Sequence, residues 1–193
     1  MVNLDFNFKF YDTEYNQISI SKNGYVCLGN NTACDSPKRP YPYNIIVGLN
    51  YDLDPSREGS GQIYYKELNS DSDIIPMNSN VFGDYYFMVT NIFLITYDNV
   101  LTSDKTSNLT VSFQIFLITE DARSYVKFKY TSCPKFLRSL ASSGVNYKNN
   151  MDKLQEVVIE NDSECTLSNV MASGIWLINV TNTAIGKKKN YEF

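Results

Sequence analysis

LTVSFQIFLITEDARSYVKFKY, residues 109–130, holds two strands and the turn between them. Val111, Phe113, Ile115 and Leu117 recur at every second position, so they line one face of an extended chain. Phe116 and Ile118 make the opposite face apolar as well near the strand's end, which places this strand inside a sheet or under cover on both sides. Glu120 to Arg123 has the length of a hairpin loop. After it, Val126, Phe128 and Tyr130 oppose Tyr125, Lys127 and Lys129, the pattern of a strand with one wet face. This stretch is sheet.

The same period extends outward in both directions. Asn91 to Val100 is a third long run, joined to the quoted stretch through the polar loop Thr102 to Asn108. At the amino end Phe6, Phe8 and Phe10 alternate with polar residues, and Tyr15 to Ser21 and Tyr25 to Gly29 flank Lys22-Asn23-Gly24. An Asn-Gly pair supplies the positive φ angles that a tight hairpin needs. Ile45 to Leu49 and Gln62 to Leu68 are further strands, the latter entered through Glu58-Gly59-Ser60-Gly61. A short helix is expected around Val81 to Met88. Ser143 to Tyr147, Glu156 to Glu160 and Gly174 to Val180 complete the series. So many short strands at close spacing predict a mainly β chain: a single antiparallel β-sandwich with at most one or two short helices. The domain is expected over residues 5–180, with residues 181–193, including Gly186-Lys187-Lys188-Lys189, as an exit tail.

At 193 residues the chain is of one-domain size and can bury about 70% of its unfolded surface. Its net charge of −4 argues against nucleic acid or an anionic membrane as partner. Histidine is absent, which removes Ser-His-Asp and Cys-His nucleophiles, histidine bases and mixed His/Cys zinc sites. No apolar run is long enough to span a bilayer, and the first residues lack the basic-then-apolar order of a signal peptide. The chain is therefore expected to be a module of a longer protein.

The four cysteines, Cys27, Cys34, Cys133 and Cys165, suit two disulfides in an oxidising compartment, with three connectivities open. Position along the chain favours Cys27 with Cys34, which closes a small loop beyond the first hairpin, and Cys133 with Cys165. Sequons at Asn30, Asn108, Asn161 and Asn179 would accept glycans in a secreted protein. Asn, Ser and Thr are abundant enough for about this many to arise by chance, so they permit secretion without requiring it.

Asp52, Asp54 and Glu58 gather hard oxygen ligands on one loop, as a Ca²⁺ site would. The plainer reading is a turn capped by Asp54-Pro55, with Asp52 paired to a base such as Arg57. No other cofactor is expected. The same carboxylates, with Glu67, Glu120 and Asp121, are the only candidates for a glycosidase-like acid/base pair. In Tyr64-Tyr65 and Tyr85-Tyr86 neighbouring rings point to opposite faces, so one of each pair is expected to be exposed and available for contact with a partner. Trp176 is expected in the core.

Several segments, in order, resemble the nidogen-type extracellular (NIDO) domain. FKFYDTEYNQISISKNGYVCLG, from Phe8, is similar to the family's opening strand and its S-x-N-G-Y hairpin. IIVGLNYDLDPSREGSGQIYYKEL, from Ile45, is similar to its apolar run, D-x-D segment, Gly turn and I-Y-Y strand. VTNIFLITYDNV and FQIFLITEDARSYVKFKY resemble its two central strand signatures, and ASSGVNYKN and SNVMASGIWLINV its closing elements. Tyr97 stands where Trp is more usual, and Gly48-Leu49-Asn50-Tyr51 replaces a Pro-Phe-Trp-like stretch. The resemblance implies an extracellular module of adhesion or matrix assembly, without known catalytic apparatus. Its partner would be a matrix or cell-surface protein or glycan, and EGF-like, AMOP, von Willebrand or sushi modules would follow it in the full chain. A secreted hydrolase and a plain spacer are the competing readings.

Overall fold

A computed structural model describes residues 1–30, 34, 43–69, 89–132, 143–148, 154–159 and 174–181. Eleven strands lie in that set and no helix does; the helix expected at Val81 to Met88 falls outside it. One sheet orders β1 (Val2–Phe10), β2 (Thr13–Ile20), β3 (Tyr25–Leu28), β4 (Ile45–Val47), β9 (Ser143–Lys148) and β10 (Leu154–Ile159). The other orders β11 (Ile175–Asn179), β8 (Arg123–Ser132), β7 (Thr110–Glu120), β6 (Asn91–Leu101) and β5 (Gln62–Leu68). Every neighbouring pair is antiparallel.

The alternation that predicted the sheet also fills the space between the two layers. Phe8, Phe10, Ile18, Val26 and Ile46 meet Phe93, Ile95, Tyr97, Phe113, Ile115, Leu117, Val126 and Phe128 in one buried cluster. Register across β5 to β8 sets Ile63, Tyr97, Phe113 and Tyr130 in a row. Tyr97 stacks on Phe113 with ring centroids 4.3 Å apart, and Phe113 lies 6.1 Å from Tyr130. Both tyrosines then span the sandwich. The Tyr97 hydroxyl donates to Ser21 O at 2.6 Å, and that of Tyr130 to Gly48 O at 2.6 Å. Buried polar groups need such partners, and here they fix one layer against the other. Burial pushes the Tyr97 phenol far above its ordinary range.

The first hairpin closes as expected. Gly24 has φ +86°, and a Cβ there would meet Leu49 O at 2.2 Å. Only glycine fits that position. Its carbonyl accepts from Gly48 N at 2.9 Å, tying the hairpin tip to the end of β4.

β1 begins at Val2, because a register shift between Asn3 and Phe8 lets it pair with β2 on both sides of the irregularity. Thr181 belongs to the fold: it is buried, and its hydroxyl accepts from Ser124 N at 2.8 Å. Residues 182–193, with the lysine run, lie outside the described set. Trp176, expected in the core, is half-buried on the edge strand β11 and packs against the main core cluster.

Candidate functional site

The acidic loop leads into β5 at the end of the sandwich where β6 runs out toward Leu101. Leu53 bridges Thr102, Asp54 N donates to Leu101 O at 2.9 Å, and Ser103 N donates to Asp52 O at 2.9 Å. The loop is thus zipped by its backbone to the β6–β7 connection. Asp54 Oδ1 accepts from Ser56 N at 3.1 Å and from Ser56 Oγ at 2.5 Å, the side-chain turn anticipated at Asp54-Pro55. Asp104, on the facing connection, repeats the motif: its Oδ1 accepts from Thr106 N at 2.9 Å and Thr106 Oγ1 at 2.7 Å. These hydrogen bonds, with a smaller contribution from the Arg57 charge, hold both carboxyls below the usual carboxylate range.

Two details correct the sequence reading. Asp52 does not pair with Arg57; its Oδ2 accepts from Ser103 Oγ at 2.6 Å. Arg57 turns instead to main-chain oxygens, and Nη1 donates to Thr102 O at 2.5 Å, Asp104 O at 2.8 Å and Ser107 O at 3.2 Å. The three carboxylates proposed for Ca²⁺, Asp52, Asp54 and Glu58, are not drawn into one cluster. Among the described residues no group of three His, Cys, Asp or Glu is placed to hold a metal ion.

From this loop β5 runs along the margin of its sheet. Tyr64 is 55% exposed and Tyr65 57%, both open on opposite faces of the strand, so exposure extends to both rings rather than one. Tyr65 stacks on Phe93 at 5.6 Å and 16°, which fixes its ring against the edge of the core. Tyr64 stands on the outer face opposite Thr96, at the end of a row that continues through Gln114 to Lys129. Tyr85 and Tyr86 lie outside the described residues.

The remaining carboxylates sit at the other end of the sheet. Glu67 accepts from Asp5 N at 3.0 Å, and partial burial raises its pKa. Glu120 accepts from the Tyr125 hydroxyl at 3.3 Å and lies 3.8 Å from Arg123, and Asp121 occupies the adjoining turn with φ +48°. Strand rise puts Glu67 roughly 17 Å along β5 from the acidic loop.

The family model described as "Nidogen-like domain" matches residues 16–182. The chain belongs to the nidogen-like domain family. Domains of this family occur in extracellular proteins. No curated protein and no solved structure matches the chain.

In this nidogen-like domain Cys27 and Cys34 form a disulfide, with a Cα–Cα distance of 5.8 Å. Both are buried with Tyr25, Ile45 and Val47 on the outer face of the six-stranded sheet. Closing so short a loop stabilises the fold by about 2.5 kcal/mol through the unfolded chain. Cys133 and Cys165 lie outside the described residues, as does Asn161. Asn30, Asn108 and Asn179 are exposed, so their side chains face solvent where a glycan would attach. Asn179 Oδ1 also accepts from Thr181 N at 2.9 Å.

Two residues of the nidogen-like domain reverse the wet-face reading of β8. Tyr125 is buried, and Lys127 is 2% exposed, with Nζ 5.0 Å from the centroid of Phe116. Burial lowers its pKa to about 8. The signal was present in Phe116 and Ile118, which made that face apolar on the neighbouring strand.

Proposed function

We propose that this nidogen-like domain is a non-catalytic binding module of the cell surface or extracellular matrix, docking a matrix or cell-surface protein or glycan through β5 and the adjoining loops. The observation that carries the reading is the pair Tyr64 and Tyr65. Apart from Met1 they are the large exposed hydrophobics of the described residues, and they adjoin each other on one marginal strand. Tyrosine suits contact surfaces because a large rigid ring carries a polar tip. The full chain would continue into further extracellular modules, and the sequons would carry glycan.

The acidic loop does not have the arrangement of a glycosidase acid/base pair. A glycosidase pair needs a separation of about 5 to 9.5 Å and one acid whose pKa is raised. Glu67, the carboxyl with a raised pKa, lies roughly 17 Å from the acidic loop along the strand. At that loop Asp54 and Asp104 are both held in the ionised form. A spacer role has no specific observation in its favour.

The test is adhesion of the purified domain to a panel of immobilised matrix glycoproteins and to cells, beside Tyr64→Ala. Saturable binding that falls at least tenfold in the variant is expected, with no turnover of peptide or glycan substrates between pH 4 and 7. Absence of binding by the intact domain, or turnover abolished by Asp54→Asn, overturns the reading.

A further inference from the structure

We propose that the guanidinium of Arg57 is the built-in cation of the loop end of this sandwich, so that the paired loops 52–60 and 102–107 are set without a divalent ion. The proposal concerns the loops themselves and stands whether or not the domain is an adhesion module.

Three main-chain oxygens converge on one nitrogen: Thr102 O, Asp104 O and Ser107 O all accept from Nη1, and Nη2 adds a second bond to Ser107 O at 3.2 Å. Carbonyl oxygens directed at a single point, with carboxylates nearby, are what a hard cation seeks. Here the point is filled by a side chain of the loop. A guanidinium is permanently charged and presents five donors in a rigid plane, so it can serve several carbonyls at once where an ammonium would serve fewer. The oxygens it holds belong to a connection nearly fifty residues away in sequence. Arg57 therefore pins its own loop to the β6–β7 connection, reinforcing the backbone bonds from Asp54 N and Ser103 N. The Asp54 and Asp104 side chains are each turned back onto the hydroxyl and N–H two residues on. They supply negative charge around the guanidinium without coordinating it.

The inference separates this loop from a metal-dependent one by a simple pair of measurements. Melting temperature is read with millimolar Ca²⁺ and with chelator, and Tb³⁺ binding is read by tyrosine-sensitised luminescence, for the intact domain, Arg57→Ala and Arg57→Lys. The intact domain should melt at the same temperature in both buffers and give no saturable Tb³⁺ signal. Arg57→Ala should melt several degrees lower, bind Tb³⁺ saturably and regain part of the loss in Ca²⁺. Arg57→Lys should fall between the two in melting and bind no Tb³⁺, since a charge still fills the seat. A chelator-sensitive intact domain overturns the proposal, and so does an Arg57→Ala domain that melts unchanged or takes up no Tb³⁺. If Arg57→Ala does not fold, Arg57→Lys decides: saturable Tb³⁺ binding to it, or melting indistinguishable from the intact domain, has the same consequence.

Discussion

Two rows on the outer face of the five-stranded sheet stand four residues apart along each strand and behave oppositely. Leu68, Ile92, Ile118 and Tyr125 lie side by side and are all buried. Tyr64, Thr96, Gln114 and Lys129 lie side by side as well, and Tyr64 and Lys129 are exposed while Thr96 and Gln114 are half-open. The strands are the same, and so is the face. Period-two alternation says which way a side chain points, and says nothing of whether that direction is covered. The composition of each row carries that second message: each holds one tyrosine, beside three aliphatic side chains in the covered row and beside a hydroxyl, an amide and an ammonium in the open one. A sheet face can thus hold a second core at one end and an open row at the other.

The sharpest way to break this contrast is truncation in each row. Ile118→Ala should lower stability by about 2 to 5 kcal/mol, as for a core position, whereas Gln114→Ala should stay within about 0.5 kcal/mol. Denaturant melts of the two variants give both numbers, and equal effects would mean that the rows do not differ as described.

Lys127 lies between the rows and gives the next effect. Its folded pKa of about 8 lies below the ordinary 10.5, so between these values the unfolded chain binds more protons. Stability must therefore rise as pH climbs from 8 toward 10, by about 3 kcal/mol at most. Above pH 10 the raised phenol of Tyr97 works in the opposite sense, because the unfolded tyrosine ionises first. A maximum near pH 10 is expected. Lys127→Met should flatten the rise, since no titrating amine remains at that position. Equilibrium unfolding across pH 7 to 11 reads both.

The sandwich, its antiparallel pairing and the inward residues were legible because Phe8, Phe10, Phe113 and Ile115 repeat at the sheet's own period. The Cys27–Cys34 bridge was legible from a short separation beside a hairpin. Arg57 was not, since nothing local distinguishes a guanidinium bound to distant carbonyls from one paired to an adjacent aspartate. Lys127 was misread because burial on that face depends on neighbours across strands, and its own strand alternates like a half-wet one. Trp176 was legible as packing against the core, but its partial exposure was not, because the sequence does not reveal which strands lie at a sheet edge.

Tyr65 and Tyr64 divide the smallest effects. Tyr65→Ala removes a ring stacked on buried Phe93 and should cost about 1 kcal/mol. Tyr64→Ala, on the open row, should leave the melting curve within about 0.5 kcal/mol.

That makes Tyr64 the cleanest probe of the central claim, that this nidogen-like domain docks an extracellular partner through β5. The measurement is equilibrium binding of the intact domain and Tyr64→Ala to immobilised matrix glycoproteins, with stability recorded on the same samples. The account predicts at least a tenfold loss of affinity at unchanged stability. Binding that is unaltered in the variant, or absent from the intact domain, would contradict it.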